Sequence, residues 1–158
     1  MKRIFTAAIA AIALAGAIPA KATTFPTLTR IYFAAGAMDN AANNPTWIAT
    51  VVNCSNLSGQ TASVRYQFRR ADGTIAAGGT LLLANLATRT VFTEGGLAIT
   101  SGTEFPTGSF FGGAVEILST QSAIYCNAML VDAATPAVVP AGIALHLVRF
   151  NPHPGTVE

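Results

Sequence analysis

The chain is 158 residues long, carries nine Lys and Arg against seven Asp and Glu, and has two cysteines. Lys2, Arg3 and Lys21 sit at the N-terminus; beyond residue 22 six arginines face seven acids, a side-chain charge of −1. That balance supplies no basic patch for nucleic acid, and no apolar run after residue 22 is long enough to span a bilayer.

Met1-Lys2-Arg3 is a short positive region, residues 4–18 are mostly apolar and alanine-rich, and Ala20 and Ala22 frame an A-x-A cleavage site. This is the pattern of a secretory signal peptide over residues 1–22. It predicts an exported protein, periplasmic or extracellular, with a mature chain of residues 23–158 forming one domain. No cysteine stands at the cleavage site to take a lipid anchor. Two cysteines in an exported chain read as one disulfide, Cys54 to Cys126.

Strand signals dominate after residue 23. Residues 30–35 read as a first strand and residues 37–46, with Asp39, Asn40, Asn43, Asn44 and Pro45, as a loop. Residues 47–54 are apolar on both faces, which predicts a central strand. In residues 62–70, Val64, Tyr66 and Phe68 alternate with Arg65, Gln67 and Arg69, the mark of a half-exposed antiparallel strand. Asp72-Gly73 predicts a tight hairpin, because glycine reaches positive φ without steric cost.

Residues 75–77 begin the return strand, and Gly78-Gly79 are expected to interrupt it. Residues 80–86 and 87–93 follow, then a long mobile loop over residues 94–108. Residues 109–119 form a strand with Val115 and Ile117 opposite Glu116, and Gly112-Gly113 suggests a bulge or a close backbone approach. Residues 122–131 hold Cys126, and residues 142–150 make one last strand.

Seven to eight strands with no amphipathic helix predict an all-β, antiparallel, immunoglobulin-like β-sandwich. The wide cysteine spacing predicts a bridge between the two sheets. The lone Trp47 precedes the first cysteine instead of following it, which departs from the immunoglobulin pattern.

Residues 47–53 beginning at Trp47, Val64-Arg65-Tyr66-Gln67-Phe68 with Ala71-Asp72-Gly73, Ala87-Thr88-Arg89-Thr90-Val91 and Gly113-Ala114-Val115-Glu116-Ile117 together resemble a group of exported bacterial β-sandwich domains. The resemblance spans about residues 47–132 and is one of strands and turns. It implies an immunoglobulin-like sandwich and no catalytic residues.

Chemistry-bearing residues are few. His146 and His153 are the only histidines, and neither they nor Asp132 and Glu158 show metal-ligand spacing. There is no nucleophile elbow, zinc-protease helix motif or phosphate loop, so no catalytic residue, metal or cofactor is assigned. Arg65 and Arg69 share a strand face, with Arg70 on the other, and read either as a solvated edge near Asp72 or as a patch for an acidic polysaccharide. Trp47, Tyr32, Tyr66 and Tyr125 read either as core or as a sugar-stacking platform. Asn53-Cys54-Ser55 and Asn56-Leu57-Ser58 read as chance matches to the glycosylation sequon.

These features predict a non-enzymatic exported module, structural, adhesive or interacting, with a protein or polysaccharide partner. The alternatives are a pilus-like subunit that donates an N-terminal strand over residues 25–35, and a carbohydrate-binding accessory module.

Overall fold

The computed structural model describes residues 24–40, 48–94, 102–133 and 142–150. The signal-peptide segment, Trp47 and His153 lie outside the described residues. Within them every regular element is a strand, and no helix is long and apolar enough to cross a membrane.

Thr24–Asp39 (β1), Ala62–Arg69 (β3), Ile75–Leu83 (β4), Phe110–Gln121 (β7) and Val148–Arg149 (β10) form one antiparallel sheet, in the order β10-β1-β7-β3-β4. Ile48–Asn56 (β2), Thr88–Phe92 (β5), Thr103–Glu104 (β6), Ile124–Asp132 (β8) and Gly142–Leu145 (β9) form the second, ordered β6-β5-β2-β8-β9. Its pairing is antiparallel except between β5 and β6.

The period-2 pattern puts the core between the sheets. Ala62, Val64, Tyr66 and Phe68 of β3 and Val115 and Ile117 of β7 face Val52, Cys54, Val91, Ile124 and Ala128 of the second sheet, all buried. Each large side chain so buried contributes about 1.5–3 kcal/mol. A smaller cluster of Ala49, Val51, Phe92, Val131 and Ala133 lies on the other face of β2 and β8. Both faces of β2 are therefore apolar, and it sits between β5 and β8 as its sequence predicts.

The disulfide joins Cys54 to Cys126 as expected, but within one sheet and not between the two. Cys54 and Cys126 are directly opposite in the β2–β8 register, with Cα atoms 4.2 Å apart. The bridge staples neighbours in one sheet and does not cross the core. A separation of 72 residues fits either geometry, because it fixes the loop length and not the sheet.

Polar stitches join the sheets instead. Thr50 Oγ1 of β2 accepts from Met38 N at 2.9 Å and donates to Met38 O at 2.8 Å, replacing a backbone rung to β1. Tyr32 Oη donates to Ile124 O at 3.0 Å, and Asn56 Nδ2 donates to Leu83 O at 2.7 Å. Asn56 is fully buried, so its sequon match cannot carry a glycan.

The Asp72-Gly73 hairpin forms as expected. Gly73 has φ +84°, its N–H meets Arg70 O, and Arg70 N–H closes on Thr74 O. Gly113 allows the expected close approach, since a Cβ there would lie 2.1 Å from Arg69 O. Elsewhere the strands differ from expectation. β1 continues through Asp39, and β4 runs unbroken through Gly78-Gly79. The loop over residues 94–108 contains β6, and Phe105 packs against the core. The last strand divides: β9 pairs with β8 and β10 with β1, so the chain changes sheets at His146-Leu147.

Candidate ligand surface

The outer face of the first sheet is a regular grid. Pairing across β1, β7, β3 and β4 aligns Arg30, Leu118, Arg65 and Thr80 in one row. The next row holds Phe33, Glu116, Gln67 and Gly78, and the next Ala35, Ala114, Arg69 and Ile75. Ile31 is the extra residue of a bulge between Arg30 and Tyr32. It is buried in the core and leaves Arg30 on the outer face.

Glu116 occupies the middle of this grid, with Arg30 and Arg69 as its diagonal neighbours, a spacing long side chains can bridge. Arg69 Nε donates to Glu116 Oε2 at 2.9 Å, and Arg30 Nε donates to Oε1. The Glu116 side chain is 2% exposed, against 50% for Arg30 and 30% for Arg69. Burial pushes the carboxyl upward, but hydrogen bonds from both guanidiniums and their charge outweigh it and hold Glu116 below the usual carboxylate range.

Arg69 also donates to Gly73 O and Gln67 Oε1. Arg65 is exposed and donates Nε to Thr80 Oγ1 at 2.9 Å. Three guanidiniums and one carboxylate leave this face cationic. Beside Arg65, a shallow depression of about 320 Å³ is lined by Arg65, Gln67, Ile75, Gly78, Gly79 and Thr80. Apolar side chains flank the charges, with the Arg30 guanidinium 5.6 Å from the Phe150 ring centroid.

The structure brings Arg65 and Arg69 to one face as the alternation predicts. Asp72 does not neutralise them: it accepts from the Thr74 amide and hydroxyl within its own turn. Arg149 lies beside the rings of both Tyr32, at 5.7 Å, and Tyr125, but the tyrosines share no exposed face. Tyr32 and Tyr66 are buried core residues, and Tyr125 is exposed with Arg149 over its ring at 5.2 Å. Trp47 lies outside the described residues and is not placed.

Arg30 and Glu116 escape sequence reasoning because only strand order puts them beside Arg69. The one available signal is Glu116 as the acid on the polar side of an otherwise apolar strand. Among the described residues no group of three or more His, Cys, Asp or Glu side chains could hold a metal ion.

No family model matches the chain, and no curated protein does. Among solved structures, the crystal structure of Thermotoga maritima 1070 is similar with a TM-score of 0.48 and 9% identity, covering 77% of this chain and 96% of that one.

Proposed function

We propose that this chain is an exported, non-enzymatic, immunoglobulin-like sandwich module, acting in the periplasm or outside the cell, that binds an acidic polysaccharide. The binding surface is the outer face of the first sheet. The carrying observation is Arg65, exposed beside a depression with the Thr80 hydroxyl as its one hydrogen-bond partner among the described residues, on the same face as two further arginines that share one buried carboxylate. Carboxylate groups of a polyuronate suit guanidinium forks, and sugar faces suit the apolar flank of Phe33 and Phe150.

This reading is favoured over strand donation. Residues 32 and 33 of β1 pair with both β7 and β10 of the same chain, so this stretch already has its neighbours. The test is co-sedimentation with polygalacturonate and with neutral dextran. Binding to the polyuronate alone, weakened by salt and about tenfold by Arg65→Gln, supports the proposal. Equal retention on both polymers contradicts it. Turnover of a polysaccharide abolished by a single substitution would remove the non-enzymatic part.

A further inference from the structure

The two sheets have four edges, and three of them are short. β10 and β6 have two residues each and β9 has four. The fourth edge, β4, has nine residues, Ile75-Ala76-Ala77-Gly78-Gly79-Thr80-Leu81-Leu82-Leu83, with no charge and no proline. Among the described residues it pairs with β3 only. Soluble proteins protect exposed edges by shortness, charge, proline or a cover, because unpaired backbone groups recruit another strand. β4 has none of the first three, and it exposes Ile75 by 53% and Leu82 by 69%.

We propose that β4 joins two copies of this chain, strand to strand and antiparallel, about a two-fold axis at Gly79. The sequence of β4 supplies its own complement. Its first half is small and its second half large. Antiparallel pairing about Gly79 sets Gly78 against Thr80 and Ala77 against Leu81 of the other copy. The register with β3 shifts between Phe68 and Arg69, making Ala76 the extra residue of a bulge. Ile75 therefore stands opposite Leu82 of the second copy, and the two exposed apolar side chains of the strand cover each other. A parallel arrangement would instead set Leu against Leu and Ala against Ala, crowding one half and leaving the other unfilled. A strand without charge also meets no like-charge repulsion from its own copy.

The depression beside Arg65 fits the same arrangement. Among the described residues its walls come from β3 and β4 alone, and none lies beyond the β4 edge. The second copy provides that wall, and the row Arg65, Thr80 continues into Gly78 and Gln67 of the other molecule. The two cationic faces then lie on one ten-stranded surface. The pairing rests on the edge alone and stands whether or not the surface binds a polyuronate.

Sedimentation velocity of the purified protein over a wide concentration range, followed by cysteine crosslinking, tests the arrangement. Ile75 and Leu82 are exposed, so Ile75→Cys and Leu82→Cys leave the core untouched. The double variant is expected to give a covalent dimer under mild oxidation, since opposed residues lie within disulfide reach. Either single variant is expected to stay monomeric under denaturing conditions, because identical residues lie roughly 20 Å apart in this register. Crosslinking by Leu82→Cys alone overturns the antiparallel pairing. A monomer at every concentration overturns the proposal.

Discussion

Glu116 lies beneath Arg69, its Oε2 accepting from Nε at 2.9 Å while 2% of its side chain meets solvent. The carboxylate is folded into the sheet surface as the fixed anion around which two arginines are arranged. Its folded pKa is depressed relative to the unfolded chain. The stability it contributes is complete above the unfolded carboxylate value of about 4.3 and is lost as pH falls through the folded value. Urea unfolding of the wild type is expected to lose stability on acidification below about pH 4, and Glu116→Gln to lose less over the same range. Parallel acid profiles for the two proteins would contradict this role.

The Cys54–Cys126 bridge closes a 72-residue separation, worth roughly 4 kcal/mol on the chain-entropy model. That is a large part of the 5–15 kcal/mol of a typical domain. Cys54→Ala and Cys126→Ala are each expected to lower the urea midpoint sharply, and the double variant to match the singles, because all three remove one bond. Mass spectrometry of the purified protein is expected to find one intramolecular bridge; two free thiols would contradict it.

Thr50 carries a sheet-to-sheet rung in place of a backbone group. Thr50→Val keeps the shape but leaves Met38 N and O without this partner beside the core. The expected cost is about 2 kcal/mol, read by thermal or urea unfolding. A cost no larger than that of an exposed Thr→Val change would show that the stitch adds nothing.

Tyr66 is fully buried, and its hydroxyl has no hydrogen-bond partner among the described residues. Burial pushes its pKa far up, with Arg89 acting weakly in the opposite direction. Its ring packs near Phe105 at 6.3 Å between centroids, so the aromatic body does the packing and the hydroxyl is a cost. Tyr66→Phe is expected to raise stability by about 1 kcal/mol. A destabilised variant would mean that the hydroxyl is satisfied in solution.

Local pattern reveals the strands and faces of this protein well. The alternation in β3 marks which side Arg65 and Arg69 share, and Asp72-Gly73 marks the hairpin that follows. Pairing between distant strands is much less legible. Nothing near Cys54 says whether Cys126 lies beside it or across the core, because both strands are apolar on the relevant face. Gly78-Gly79 looks like a break, yet the glycines lie inside β4, where a Cβ on Gly78 would lie 2.4 Å from Tyr66 O. Glu116 reads as an ordinary exposed acid until β1 and β3 are placed on either side of it. The candidate surface is thus half visible in sequence: Arg65 and Arg69 by alternation, Arg30 and Glu116 only by topology.

On the proposed function, the outer face of the first sheet is the surface that meets the polysaccharide. Backbone amide NMR during titration with oligogalacturonate tests it directly, because the two outer faces carry separate reporters. Shifts are expected at Ser63, Arg65, Gln67, Thr80 and Ala114, reduced by added salt and by Arg65→Gln. Asn53, Tyr125 and Asn127 on the second sheet are expected to stay in place. Shifts confined to those second-sheet residues, or none at any concentration, would contradict the account.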